Sequence, residues 1–283
     1  MSTSRVRIVT DSSCDLPESI ATELNIGIVP LFIRFGADEL VDREQISTAE
    51  FWARCSRETD LPSTAAPAPG RFEEAIRKAA AEGATGVVVI NLSSALSATM
   101  QSAELAAASG RTDVPVRVVD SRSVSMGLGL IVVACARAAA AGASLDEVEA
   151  LARRLVDKCK LWGALDTLEN LKKGGRIGGA KAMLASVLSI KPVIEVRDGV
   201  VQEGGKQRTR TKALAFLVDK VATAVASPGI EQLAVLHADC PDVDAFVTQL
   251  RAVYPGEIIV GEIGAVIGTH AGRGTIGIAY FEK

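Results

Sequence analysis

Short Val/Ile runs alternate with longer Ala/Leu/Glu/Arg stretches through all 283 residues, a rhythm that fits an α/β architecture and little else. Arg5 to Val9 reads as a first strand ending at Thr10-Asp11-Ser12-Ser13. Asp15 and Pro17 then mark a helix start, because a short acidic side chain caps free N–H groups and Pro suits the first turn. Ile26 to Phe35 is strand-like and broken by Pro30. Ser47-Thr48-Ala49-Glu50 forms a capping box ahead of a helix holding Phe51 and Trp52. Leu61 to Pro69 carries three prolines, which remove backbone donors and force extended geometry. An amphipathic helix follows over Gly70 to Glu82, then a buried strand over Gly86 to Ile90. A serine-rich loop, Asn91 to Ser97, leads into a helix from Ala98 to Ala108. Val116 to Val119 is a further strand closing on Asp120-Ser121. Helices at Val124 to Ala140 and Leu145 to Lys158 complete this half.

After Lys160 the expected strands are Trp162 to Leu165, Ile190 to Glu195, Gln232 to His237, Ile258 to Ile263 and Gly277 to Phe281. Helices at Ala180 to Leu188, Thr211 to Ala226 and Val243 to Val253 separate them. The shift in composition at 159–163 divides the chain into two α/β domains, 1–160 and 161–283.

Composition excludes several functions. The chain is 48% apolar with a mean hydropathy of +0.26, yet its longest apolar stretch, Val124 to Ala136, stops at Arg137. A bilayer span needs roughly 20 such residues, so a buried helix is expected. MSTSRVRIVTDSS has no apolar signal core, which points to the cytoplasm. A net charge of −3 gives nucleic acid no basic field to meet. Five cysteines without a CxxC pair, and two histidines, support neither a zinc site nor a disulfide framework. No phosphate-binding GxxxxGK[ST] and no GxSxG elbow is present, and the first strand is not followed by the dinucleotide GxGxxG. In GGRIGGAK, Gly174 to Lys181, Ala180 stands where the first motif needs Gly-Lys spacing.

Four loops carry polar chemistry: TDSSCD (10–15), STAAPAPG (63–70), LSSALSAT (92–99) and GTHAGRGT (268–275). Ser93, Ser94 and Ser97 precede a helix, where free N–H groups and the dipole favour an anion and hydroxyls add donors without charge. A serine that merely caps the helix is the plainer reading. His270 lies among Gly268, Gly272 and Gly274, either as a structural ring or as a functional one. His237 reads as structural. Lys172, Lys173, Arg176, Lys206, Arg208, Arg210 and Lys212 make either a solvated basic face or a docking surface for an anionic partner.

In order along the chain, IVTDSSCDLP, STAAPAPGRF, INLSSALSATMQSA, VVDSRSVSMGLG, LENLKKGGRI, LSIKPVIEVRDG, KQRTRTKAL and GTHAGRGTIGI resemble the DegV family of bacterial fatty-acid-binding proteins. The match runs from residue 8 to 278. The resemblance implies a Rossmann-like N-terminal domain and an α/β sandwich C-terminal domain, with a lipid tunnel between them. It implies one bound long-chain fatty acid and a separate fatty acid kinase, related to dihydroxyacetone kinases, that phosphorylates the carboxylate with ATP. The protein is then a carrier and not an enzyme, with no cofactor or metal and no more than transient contact with a membrane surface.

Carried over residue by residue, Thr64 corresponds to the Thr of the family's Thr-Ser-Gln-Pro loop and contacts the carboxylate. Ser97, or Ser94 of the preceding serine pair, is the second contact, with Ser97 preferred. His270 falls in the Thr-His-x-Gly-x-Gly loop as a headgroup neighbour or phosphotransfer assistant. Arg176 and Arg208 resemble the basic residues of a kinase-facing mouth. Ala65-Ala66 replaces the usual Ser-Gln, Ala98 the usual Gly, and Met100 a common Tyr. The competing reading, from a different class, is an acyl hydrolase or transferase with Ser97 or Ser94 as nucleophile and His270 as base.

Overall fold

The computed structural model describes residues 5–185 and 190–283. The first sheet opens with β1 (Val6–Asp11) and β2 (Gly27–Val29). The chain then makes a small antiparallel sheet from β3 (Phe32–Phe35), β4 (Asp38–Val41) and β5 (Ser63–Ala65). β6 (Gly86–Asn91) and β7 (Val116–Asp120) then complete a parallel sheet in the order β2-β1-β6-β7. Helices α1 (Glu18–Glu23), α2 (Thr48–Cys55), α3 (Pro69–Ala81) and α4 (Thr99–Ala108) connect these strands. Pro30 divides the second strand-like segment into β2 and β3, as a missing N–H donor requires. The capping box at Ser47 is complete in both directions, with Glu50 N–H donating to Ser47 Oγ and Ser47 N–H to Glu50 Oε2.

Two helices, α5 (Ser125–Ala140) and α6 (Leu145–Lys158), lead to the second sheet. Its strands are β8 (Cys159–Ala164), β9 (Lys191–Arg197), β10 (Val200–Gln207), β11 (Ile230–His237), β12 (Ile258–Glu262) and β13 (Ile276–Glu282), ordered β10-β9-β8-β13-β11-β12. Only the β11–β12 pair is parallel. Helices α7 (Glu169–Lys173), α8 (Arg210–Ala226), α9 (Val243–Arg251) and α10 (Ala265–Ala271) complete the chain. Leu214, Leu217 and Val221 of α8 and Phe246 and Leu250 of α9 bury one face of this sheet.

The apolar stretch that invited a membrane reading is α5. It is buried from Ser125 through Val133 and packs against β1 and β6 on one side and β8, β11 and β13 on the other. One continuous core therefore runs from Val6 and Ile8 through α5 to Leu236, Ala279 and Phe281. No helix among the described residues is long and apolar enough to cross a membrane.

Several elements differ from expectation. Pro17, not Asp15, caps α1, and Asp15 adopts a left-handed φ of 51°. The helix expected over Ala180 to Leu188 is a 3₁₀ segment at Gly178–Ala185, and its end at 186–188 lies outside the described residues. β4, β10, α7 and α10 are additions to the sequence reading.

Candidate ligand-binding site

The chain leaves β1 for β2 on one side, and β6 for β7 on the other, so the crevice at the carboxyl ends of β1 and β6 is the switch point where open α/β sheets take ligands. Asp11, at the end of β1, is fully buried there. Its carboxylate accepts from Ser13 Oγ at 2.5 Å, from Asn91 Nδ2 at 2.9 Å and from Leu92 N–H at 2.9 Å. Burial holds its carboxyl above the ordinary range, and these four donor contacts (Ser13 N–H included) offset that only in part. The tie fixes where the serine loop starts.

That loop separates its three serines. Ser93 is buried and donates to the Gly199 carbonyl at 2.6 Å, joining the loop to the β9–β10 turn beside an Arg122–Asp198 ion pair of 2.8 Å. Ser94 points outward, and its hydroxyl donates to Asp120 Oδ2 at 2.5 Å. Ser97 lies one residue before the Ala98 cap of α4, with its Oγ 2.9 Å from Thr99 Oγ1 and accepting from Thr99 N–H at 3.3 Å. The hydroxyl thus touches the helix start, and its side chain also lines a cavity.

This cavity, of about 200 Å³, opens between the two sheets. Leu31, Leu92 and Val124 line it from the N-terminal half, and Ile194, Val201 and Val266 are among the aliphatic residues facing them. Its polar lining residues are Thr64, Ser97, Arg176 and His270. Four of the six residues expected at the site are therefore brought together. The other two are not: Ser94 is engaged with Asp120, and Arg208 is exposed in the turn between β10 and α8, away from the lining.

Thr64 and His270 are 206 positions apart and meet at 3.0 Å, Oγ1 to Nε2. β5 supplies Thr64 through its pairing with β3, Thr64 opposite Ile33. The last turn of α10 supplies His270. The other ring nitrogen, Nδ1, is buried without a partner. A bare lone pair costs less to bury than an unsatisfied N–H, which assigns the proton to Nε2 as a donor to Thr64 Oγ1. The threonine hydroxyl then turns its own hydrogen toward the cavity. Burial, reinforced by the Arg176 charge, lowers His270 to about 4, so the ring is neutral at neutral pH.

Arg176 is exposed and donates to the Leu96 and Gly174 carbonyls at 3.2 and 2.6 Å, which sets its positive charge at the rim beside the serine loop. Gly174 packs directly on the imidazole; a Cβ there would collide with His270 Nδ1. Asn170 secures the same region by donating from Nδ2 to the Thr269 carbonyl at 3.0 Å. The sequence reading noticed the glycine pair at 174–175 only as the flank of Arg176, and nothing in the local pattern marked Asn170.

The arrangement can hold an anion with neutral donors and a chain of CH₂ groups with aliphatic walls. It does not assemble a serine nucleophile with a base, because His270 Nε2 is on Thr64, whereas Ser97 bonds Thr99 and Ser94 bonds Asp120. An α/β protein whose two sheets close on a largely aliphatic cavity with a polar cluster has the form of a small-molecule-binding protein. The chain belongs to the DegV family: that family's profile, "Uncharacterised protein, DegV family", matches residues 5–283. It is 37% identical over 276 residues to a DegV domain-containing protein of Streptomyces coelicolor, covering 96% of this chain and 97% of the relative. Among solved structures it resembles a DegV family protein from Thermus thermophilus described by its fatty acid binding, with a TM-score of 0.87, 33% identity, and 99% and 100% of the two chains covered. DegV from Bacillus subtilis, a fatty acid binding protein, superposes with a TM-score of 0.86 at 26% identity, covering 99% of this chain and 100% of that one.

Proposed function

We propose that this protein binds one long-chain fatty acid, with the carboxylate at Thr64, Ser97 and His270 and the alkyl chain along the aliphatic walls. The observation that carries the reading is the gathering of Thr64, Ser97, Arg176 and His270 on an otherwise aliphatic cavity between the sheets. Fatty acid binding in the Thermus and Bacillus relatives supports it. Burial of an alkyl chain contributes about 0.8 kcal/mol per CH₂. Roughly sixteen carbons supply on the order of 12 kcal/mol before association and desolvation costs. Tight binding therefore needs no cationic clamp on the headgroup. Ser97 is favoured over Ser94 because Ser97 lines the cavity, whereas Ser94 is engaged with Asp120.

The protein acts as a carrier in this reading. A carboxylate held by neutral hydroxyls and a neutral imidazole keeps one oxygen available to attack the γ-phosphate of ATP on a separate fatty acid kinase. Arg176 at the rim and the exposed Arg208 form the surface facing that kinase. The chain divides near residue 160 into two domains that enclose the lipid, and its working compartment is the cytoplasm.

Mass spectrometry of purified, denatured protein is expected to release a long-chain fatty acid at about one per chain, the stoichiometry of a single enclosed site. Protein that is empty and also takes up neither palmitate nor oleate overturns the proposal. Loaded protein that yields no hydroxamate-trapped acyl phosphate with a fatty acid kinase and ATP overturns the carrier role alone.

A further inference from the structure

Among the described residues, five carboxylates outside the cavity lining are buried: Glu73, Glu195, Asp11, Asp42 and Asp15. Asp11 ties the loops of the first sheet, and Asp42, directly after β4, bridges to Ile46. Asp15 instead spans the two halves of the molecule at 2% exposure. Its Oδ2 accepts from Ser125 Oγ, at the first residue of α5, at 2.5 Å. Its Oδ1 accepts from the N–H of Gly264, the cap residue of α10, at 2.9 Å. α10 runs from that cap to His270, six residues on, or about 9 Å along the axis at 1.5 Å per residue.

We propose that Asp15 is a positioning residue for the carboxylate site: anchored on Ser125, it fixes the start of α10 and so sets the His270 ring against Thr64. The packing around it leaves little freedom. A methyl group at Gly261, at the end of β12, would lie 2.7 Å from the Asp15 carbonyl oxygen and would also press on Met126 of α5. A helix this short moves as a rigid body, so a displaced N-terminus displaces the ring at its other end. The Thr64–His270 hydrogen bond tolerates only a few tenths of an ångström before it weakens. The consequence for ligand retention rests on the fatty-acid reading; the consequence for His270 does not.

The clamp is also sensitive to charge. The groups that act on Asp15 are Arg43, which favours its ionised form, and Asp42, which opposes it; Cys14 is adjacent in the chain, with its thiol pushed up to about 12 by burial. From α5 and the cap of α10, the groups that hydrogen-bond it are the uncharged Ser125 Oγ and Gly264 N–H. Burial pushes Asp15 up to about 7, so its two acceptor oxygens become an acceptor and a donor close to neutral pH.

Because the chain contains two histidines, ¹⁵N NMR of the imidazoles reads His270 directly, with His237→Gln assigning the pair. In ligand-free protein, Ser125→Ala and Asp15→Ala are expected to raise the His270 midpoint from about 4 by at least one unit. They also weaken the signature of the Nε2–H tautomer. Asp15→Asn, which keeps an acceptor for Gly264 N–H, restores the wild-type midpoint. The wild-type His270 shift carries a small step near pH 7 that Asp15→Asn abolishes. A folded Ser125→Ala or Asp15→Ala protein with wild-type His270 titration overturns the proposal, and Ser125→Ala decides if Asp15→Ala does not fold. Palmitate affinity is measured on the same variants: a moved His270 with unchanged affinity supports the positioning role and overturns the carboxylate-site reading.

Discussion

Replacing Thr64 with Val tests the headgroup geometry with little change in shape. The two side chains are nearly isosteric, so β5 keeps its pairing with β3 and what is lost is the hydroxyl. That hydroxyl has two roles: it accepts from His270 Nε2–H at 3.0 Å, and it donates into the cavity. A hydrogen bond to a charged carboxylate contributes about 1.5–3 kcal/mol. Its loss raises the Kd for palmitate about 10- to 150-fold. Thr64 is half-buried, so cavity water replaces the lost partner in the empty protein, and stability falls by less than about 1 kcal/mol. Isothermal titration calorimetry with palmitate, alongside thermal unfolding, separates the two effects. Methyl palmitate is the control: its uncharged ester gains little from the hydroxyl, so wild type and variant differ by less than about threefold. A palmitate Kd within twofold of wild type refutes the reasoning, as does an equal loss for acid and ester.

The serine loop gives a sharper contrast. Ser97→Ala is expected to weaken palmitate binding about tenfold, the low end for a hydrogen bond to a charged carboxylate, whereas Ser94→Ala leaves it unchanged because that hydroxyl is bound to Asp120; the reverse order in a titration would exchange their roles. Two buried groups should pull stability in opposite directions with pH. Asp15 has its carboxyl raised from 3.8 to about 7, so its contribution is full below pH 3.8 and is lost as pH rises through 7, and Asp15→Asn removes that loss. His270 is lowered from 6.5 to about 4, so its contribution is present above pH 6.5 and is lost as pH falls through 4, which His270→Gln prevents. Denaturant unfolding of both variants between pH 4 and 8 checks the two signs, and parallel profiles for wild type and either variant would contradict the corresponding one.

The sequence reading succeeded where a pattern is local. The Ser47–Glu50 capping box, the proline-broken segment at Pro30 and the apolar run that became α5 each depend on neighbours within a few residues, and each is present. It failed at β4 and β10, whose alternation is obscured by charge and glycine. Val200–Gln207 lies at the edge of its sheet and is a strand because Val201 pairs with Val196 and Lys206 with Pro192, not because its own residues prefer to be. The site divides in the same way. Family motifs pointed to Thr64, Ser97, Arg176 and His270, yet no local pattern could bring Thr64 to His270 or send Ser94 toward Asp120. Asp15 read as a helix cap because it precedes a proline, while its hydrogen bonds reach residues 110 and 249 positions away.

On the fatty-acid reading, the helix buried between the sheets bears on how quickly the proposed ligand can leave. α5 contributes to both layers at once, and Met126, Leu130 and Val133 have no exposed face to release. Swinging the halves apart would strip water-excluded surface from a core that neither half can rebuild alone, at roughly 25 cal/mol for each Å² exposed. A hinge is thereby the costlier route, and exchange of the proposed ligand is expected through the segments that rim the cavity: the serine loop, β5, and the stretch around Arg176. Residence time of the proposed ligand then depends on the stiffness of a few short loops.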